Sequence, residues 1–498
     1  MSCQEIPHAL RLNIASHMLT RLKISGFKNL VDVDVRFGAF TCIAGANGIG
    51  KSNLFDAIAF VGAMASKPLT QAALSVRDES SRSSDVRSLF HRVGGEIAKE
   101  MTFEAEMLVP PKSVDEYGQT AVASRTFLRY RLRLGLRADS STWTSLGALE
   151  ILEEELVGIP NRDTNDHLRF PHKEAWRKSV SSGVKRTPFI STKQEDGALR
   201  VHLHQDGGSS GKPLSKPAAN LPRTVLSTAN AAENPTVLCA KREMESWILL
   251  QLEPSALRAS DDTHAPAHIG SHGEHLPATL YRLAEQRNGG GSAAQVYSRI
   301  TNRLFGLIED VHGVFVEKDD KRESLTLFVK GRNSTNYPAR SLSDGTLRFL
   351  ALAALDEDAS AQGVICLEEP ENGIHPDRIP AMLQLLRDIA TDPDEAVDEN
   401  NPLRQVIINT HSAAVVMQVP LDSLLVADGV ETTNERGTFH RTTFPSLSKT
   451  WRTESDSEPT VSPGKLLAYV NPIRTTEDFD SFEKRVFQSQ EAQMLLKL

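Results

Sequence analysis

Cysteine and aromatic residues are scarce in this chain: 498 residues carry four cysteines and four tryptophans, and aromatics make up 6%. Cys3, Cys42, Cys239 and Cys366 show no CxxC spacing, which excludes a zinc ribbon or a disulfide framework as the organising element. Cys42 and Cys366 fall in apolar strand-like runs, where a thiol acts as a small hydrophobe, so reduced core cysteines of a cytoplasmic protein are expected. No run reaches about 18 apolar residues, so no membrane span is expected. The opening MSCQEIPHALRLNIASHML lacks the charged start and unbroken apolar core of a secretory leader. No internal repeat is evident, and no heptad pattern is sustained, so a long coiled coil is excluded. The net charge of −8 argues against a wholesale nucleic-acid coat. It is uneven, however. Between Asn161 and Arg223 stand 12 Lys+Arg against 6 Asp+Glu, a local +6 that leaves −14 for the rest.

What is present is a rhythm. LTRLKISGFKNLVDVDVRF, from Leu19 to Phe37, reads as strand, turn and strand broken at Gly26. FTCIAG is a short apolar run typical of a buried parallel strand, and a Gly-rich loop and the helix NLFDAIAFVGAMA follow it. Strands at Met101–Val109, Arg125–Leu136 and Leu146–Leu156 suggest an antiparallel β-lobe. From 158 to 235 Gly, Ser, Pro, Lys and Arg rise, and this stretch reads as a loop-rich insertion with a few hairpin strands at most. Helices are expected over Val237–Leu252, Leu276–Gln286 and Ala293–Val311. Strands and helices then alternate through VFVEK, SLTLFVK, LSDGTLRFLALAAL, GVICLE, PDRIPAMLQLLRDIA and QVIINT, which implies a parallel sheet with covered faces. The expected division is an extension over 1–17, the first half of a head over 18–157, the insertion over 158–235, a helical lobe over 236–311, the second half of the head over 312–445 and a tail over 446–498.

Four short motifs carry chemistry. Gly45-Ala46-Asn47-Gly48-Ile49-Gly50-Lys51-Ser52 fits G-x-x-x-x-G-K-[ST] between a buried strand and a helix. Its glycines let backbone N–H groups curl around phosphate oxygens, and the helix N-terminus adds partial positive charge. Lys51 is expected to reach the β- and γ-phosphates of ATP, and the Ser52 hydroxyl to ligate Mg²⁺. Val364 to Glu369 is an apolar strand ending in two carboxylates, which belong at the sheet edge where α/β folds bind ligands. Glu368 suits the Mg²⁺ and Glu369 the attacking water; a merely solvated strand end is the bland alternative. Ser343, before an apolar helix, is a natural N-cap, and the same helix start with Gly345 also suits a γ-phosphate. His411 closes a buried strand, either as a structural residue or as a γ-phosphate contact.

In this order GANGIGKSN, LSDGTLR, EEPENGIHP and INTHS resemble RecF/SMC-like ABC ATPases. The likeness is greatest to the predicted-ATPase group, AAA_21-type, allied to the overcoming-lysogenisation-defect nucleases. The opening LTRLKISGFKNLVDVDVRF and the stretch SHGEHLPATLYRL are similar to that group as well, so the resemblance spans about 18–445 apart from the insertion. It implies an α/β ABC-type P-loop head with an antiparallel β-lobe and a helical lobe. Asn47, Gly48, Ile49, Gly50, Lys51, Ser52 and Asn53 would hold the triphosphate, with Ser52 and Glu368 on Mg²⁺. Glu369 would be the catalytic carboxylate and His411 the switch histidine. Ser343 and Gly345 would complete the site of an opposing copy, and Glu371, Asn372 and Gly373 would lie along that seam. Many relatives have Asp where Glu368 stands, and no glutamine stands out as the usual Q-loop residue.

The resemblance further implies a homodimer or higher homo-oligomer of ATP-sandwiched heads and a separate effector, for which a nuclease in phage defence is the analogy. A RecF-type DNA clamp and a nuclease in its own right are the alternatives. The basic insertion would serve DNA binding, or be a solvated loop. Asp478 and Asp480 form a DxD ahead of an apolar-faced C-terminal stretch, but with 87 residues after His411 a complete Toprim domain is not expected. His264, His268, His272 and His275 have spacings a metal could use, yet sit in a Pro/Gly-rich loop and favour no metal site.

Overall fold

The computed structural model describes residues 18–76, 85–137, 147–183, 188–206, 212–285, 293–305, 311–453 and 460–461. The expected N-terminal extension, the Asp478–Asp480 pair and the stretch after it lie outside the described residues.

Met18–Ser25 (β1) and Val33–Arg36 (β2) pair antiparallel. Between them the chain turns at Gly26, φ +75°, where a Cβ would stand 2.4 Å from the Glu100 carbonyl oxygen. Phe40–Ala44 (β3) is buried at every residue and runs through the Gly-rich loop into Lys51–Ala63 (α1). That helix buries Leu54, Phe55, Ile58, Phe60 and Val61, as expected of a helix covered on most sides. Phe60 stacks on Phe27 at 5.8 Å between ring centroids and meets Phe103 at a tilt at 5.5 Å, which ties the helix to the β-lobe.

Glu100–Leu108 (β4), Phe127–Leu136 (β5) and Leu149–Gly158 (β6) continue the antiparallel sheet. Strand alternation sends Leu128, Tyr130, Leu132 and Leu134 inward. It sends Arg131 outward between Glu104 and Glu153, each 3.5 Å away. Exposed pairs of this kind contribute about 0–1 kcal/mol, so the inward face holds the sheet.

The insertion is more ordered than its composition suggests. Ile190–Glu195 (β7), Ala198–Leu203 (β8) and Leu214–Pro217 (β9) add three strands, and the sheet runs β9-β8-β7-β6-β5-β4-β1-β2. The β7–β8 turn uses Asp196 and Gly197, both at positive φ (51° and 77°), the Asp-Gly pair that a tight hairpin favours. The short helix Glu174–Val180 buries Trp176 completely, in a cluster with Met18, Phe127, Phe170 and Leu403.

Pro235–Glu245 (α2) is shorter than expected. Its cap falls at Ser246, and Ile248–Leu250 (β10) is a strand that pairs parallel with Ile365–Leu367. A short apolar run fits either period, and the neighbouring strand decides. Leu276–Glu285 (α3) and Ala293–Phe305 (α4) follow, and the helix expected to reach Val311 gives way to Val311–Asp319 (β11), antiparallel to Ser324–Gly331 (β12).

Asp344–Glu357 (α5), Gly363–Glu368 (β13), Ile379–Ile389 (α6), Arg404–Thr410 (β14) and Leu424–Val426 (β15) complete the second half. The five-stranded sheet is parallel throughout, in the order β10-β13-β14-β3-β15. Its strands are near-continuous apolar runs, as a sheet covered on both faces requires. Gln405, fully buried on β14, stitches the two sheets: it accepts from Leu19 N at 3.0 Å and donates to the Leu19 and Gly38 carbonyls at 2.8 and 2.9 Å. A hairpin of Asp428–Asn434 (β16) and Gly437–Thr443 (β17) closes the head. Among the described residues no helix is long and apolar enough to cross a membrane.

Candidate nucleotide site

The carboxyl ends of β3, β13 and β14 are neighbours in one parallel sheet, so the residues that follow each strand meet at one edge. This is where open α/β sheets bind ligands. After β3 the loop exposes Ala46, Asn47 and Gly48 and half-buries Ile49, and α1 begins behind Gly50 without a side-chain cap. Asn53 N is taken by the Gly50 carbonyl at 3.0 Å, and a helix start without a side-chain cap leaves earlier N–H groups to an anion. Gly50 has φ +110°, and a Cβ there would lie 2.4 Å from both Asn29 Nδ2 and Thr442 Oγ1. Lys51 is buried and its Nζ donates to the Gly45 and Ala46 carbonyls at 2.6 and 3.0 Å. Burial lowers its pKa, and the carboxylates of Glu369, Glu371 and Glu368 offset this only in part.

After β13 the two carboxylates differ in their partners. Ser52, Gln251, Glu368, Glu369, Arg348 and Asn372 are among the residues lining a cavity of about 390 Å³. Gln251 Nε2 donates to Glu368 Oε2 at 3.2 Å. Glu369 adopts φ +44°, a left-handed conformation costly for a residue with a Cβ, and such strain clusters at functional sites. Its amide donates to the Asn409 side-chain oxygen at 3.0 Å. Its carboxylate takes Asn372 Nδ2 at 2.8 Å and faces His411 Nδ1 at 2.7 Å. Burial works to raise the Glu369 carboxyl, but these two hydrogen bonds and the charges of His411 and Lys51 prevail, so it lies below the usual carboxylate range. Glu371 is different. Burial raises its carboxyl even though the Thr410 hydroxyl donates to it at 2.5 Å, and its other oxygen has no hydrogen-bond partner among the described residues.

The donor set fits a hard divalent cation: an alcohol, a carboxylate and an amide, all oxygen-bearing, in one cavity. Among the described residues no three His, Cys, Asp or Glu side chains converge as an all-protein cage. Mg²⁺ does not ask for one, because it keeps waters and shares phosphate oxygens. The four histidines that sequence spacing brings together do not converge either. His268, His272 and His275 face Asp358, Glu253 and Asp261 separately, at 4.0, 3.4 and 3.1 Å.

Ser343 and Gly345 do not line the cavity that holds Ser52 and Glu368. Ser343 is exposed and caps α5, accepting from Thr346 N at 3.3 Å, so the local reading of this residue is realised. Gly345 packs on the 371–373 segment, where a Cβ would come within 2.9 Å of the Gly373 carbonyl oxygen. Arg258 holds this tip through the Leu342 carbonyl and the Asp344 carboxylate, and Arg348 Nη1 donates to the Glu369 carbonyl at 3.4 Å.

Sequence reading missed Gln251. It follows β10 directly, and the signal that finds it is the strand pairing of Ile248–Leu250 beside β13, which a helical reading of the same residues hides. It also missed Asn29, Asn53's partner in a 2.8 Å hydrogen bond, and Thr442, whose contacts span nearly the whole chain.

A Gly-rich G-x-x-x-x-G-K-S loop after β3 and an acid pair at the end of β13, one strand removed across β14, define a P-loop α/β head. The sequence matches the AAA_21 family, described as "AAA domain, putative AbiEii toxin, Type IV TA system", over residues 40–145 and 256–417. These segments make up more than half of the chain, and the protein belongs to this family of ATPase domains. No curated protein matches the sequence. Solved structures overlap it distantly, SMC heads among them. An SMC head bound to the C-terminal winged-helix domain of ScpA is 14% identical, with 86% of this chain and 99% of that chain covered at a TM-score of 0.44. An SMC head with extended coiled coil bound to the C-terminal domain of ScpA, from Pyrococcus furiosus, is 11% identical (85% and 96%, TM-score 0.42). The SMC head of Thermotoga maritima is 12% identical (85% and 97%, TM-score 0.35).

Proposed function

We propose that the chain binds and hydrolyses ATP at a site shared between two copies, and that its nucleotide state controls a separate effector protein. The observation that carries this reading is the convergence of Lys51, Ser52, Glu368, Glu369 and His411 at one sheet edge, with His411 2.7 Å from Glu369. Phosphoryl transfer to water needs charge neutralisation and a positioned nucleophile more than covalent help. Asn47 through Asn53 wrap the phosphates, and Lys51 leaves its own loop carbonyls to meet them. Ser52 and Glu368, with Gln251 beside them, would hold Mg²⁺, which when bound neutralises phosphate charge. Glu369, kept ionised by Asn372 and His411, orients the attacking water. Ser343 and Gly345 of the partner subunit cap the γ-phosphate from a helix tip.

The family description names a toxin of a toxin–antitoxin system, and a defence role in which ATP state gates an effector agrees with it. Steady-state turnover and light scattering test the core of the proposal. Lys51→Ala should lose nucleotide binding. Glu369→Gln should bind MgATP, turn over about 10²–10⁴ times more slowly as loss of a general base predicts, and accumulate as a dimer. A Gln variant that hydrolyses ATP at the wild-type rate, or stays monomeric with excess MgATP, would overturn the shared site.

A further inference from the structure

The carbonyl of Ile49, in the middle of the phosphate loop, receives two side-chain donors. Asn29 Nδ2 reaches it at 3.1 Å from the β1–β2 turn, and Thr442 Oγ1 at 2.5 Å from the end of β17. The two donors are themselves tied, since Thr442 N donates to the Asn29 carbonyl at 3.1 Å. Asn29 Oδ1 is engaged as well, accepting Asn53 Nδ2 at 2.8 Å from the first turn of α1. Thr442 is 1% exposed, so water does not compete for its hydroxyl. A trans peptide holds its C=O and N–H antiparallel. Pinning the Ile49 carbonyl therefore turns the Gly50 N–H the opposite way, and Gly50, which alone tolerates φ +110° with no room for a Cβ, completes the fit.

Asn29 and Thr442 both fall outside the residues matched to the family, 40–145 and 256–417. We propose that they form a clasp that presets the phosphate loop, making the β16–β17 hairpin part of the nucleotide-binding machinery. The inference rests on the ATP-binding reading above and assigns positioning roles, since both side chains are spent on the loop and neither lines the cavity of Ser52 and Glu368. The hairpin is not isolated. Arg436 near its tip meets Glu96 at 3.3 Å, and Phe439 packs edge-on against His91 at 4.8 Å. His91 in turn is hydrogen-bonded to the Lys28 carbonyl at 2.7 Å, next to Asn29, so both ends of the clasp share one support.

Calorimetric titration with MgATP, together with hydrogen exchange of the nucleotide-free protein, tests the clasp. Thr442→Val should bind MgATP about tenfold more weakly, as expected for losing a buried hydrogen bond, and Thr442→Ser should restore binding to within about twofold. In the Val variant the loop peptide should exchange faster while β13 and β14 keep their protection. Asn29→Ala reads the same clasp from its other arm should the Val variant lose its fold. Wild-type affinity in both Thr442→Val and Asn29→Ala, with binding abolished in Lys51→Ala, overturns the clasp; so does unchanged exchange in the loop. Failure of the wild-type protein to bind MgATP counts against the ATP reading, and the exchange comparison then still decides the clasp.

Discussion

Glu154 sits on β6 with its side chain wholly out of water, accepting the amides of Val225 and Leu226 at 2.8 Å each and the Tyr130 hydroxyl at 3.3 Å. Burial pushes its carboxyl up to about 7 despite these donors. The folded value lies above the ordinary one, so the folded state holds the proton more tightly than the unfolded chain. The stability this adds is fully present below about pH 4.5 and is lost as pH rises through about 7, on the order of 3 kcal/mol in all. Melting curves between pH 5 and 8 should show this slope in the wild type, and Glu154→Gln should lack it. Equal slopes would mean the carboxylate is ionised throughout. Burial acts on the cysteines in the same direction, raising Cys42 and Cys366 and pushing Cys239 up to about 12, which leaves them inert as core residues.

Ser343 gives the sharpest test among the elements, because its helix-capping role and its proposed role across a dimer differ in size. Removing the cap of α5 by Ser343→Ala should cost about 1 kcal/mol of stability. If the same hydroxyl caps a γ-phosphate, ATP turnover should fall far more than that small loss explains, by about tenfold or greater, with a melting temperature only slightly lower. Turnover that merely tracks stability would leave Ser343 a cap and nothing else. The segment around Trp176 is a plainer case: Trp176→Ala should cost about 3–5 kcal/mol, read by denaturant unfolding, since the indole is fully buried among Met18, Phe127 and Phe170. These elements also mark what the sequence discloses. The buried runs FTCIA, GVICLE and RQVIINT and the loop between β3 and α1 are legible because their signals are local. The strand Ile248–Leu250 is not, because three apolar residues after a helix carry no period of their own and only β13 makes them a strand. The insertion's hairpin announces itself in Asp196-Gly197, a turn signal that the surrounding Lys, Gly and Ser obscure. The Asn29–Thr442 contact has no local signal at all, since its two residues lie near opposite ends of the described chain and only the tertiary fold brings them together.

For the whole molecule, a shared site has a kinetic consequence. The ATPase rate per chain should rise with protein concentration and level off once heads are paired, and a mixture of Lys51→Ala with Ser343→Ala chains should regain part of the activity each lacks, because one good site can form between them. A rate per chain that stays flat across the dilution range would place all catalytic groups in one copy. Co-purification from the native host, with mass identification of bound proteins, tests for the effector; recovery of the head alone with full biological activity would remove the need for one.

The five-stranded parallel sheet and the eight-stranded antiparallel sheet both finish in stubs. The parallel sheet is bounded by Ile248–Leu250 and Leu424–Val426, three residues each, and the antiparallel sheet by Val33–Arg36 and Leu214–Pro217, four each, the last ending in a proline that has no N–H to offer. Margins this brief give an incoming strand almost nothing to zip onto. Copies that meet at the nucleotide edge of the parallel sheet would then do so through loops and helix tips, contacts that a small charged molecule is able to make and that its cleavage is able to undo.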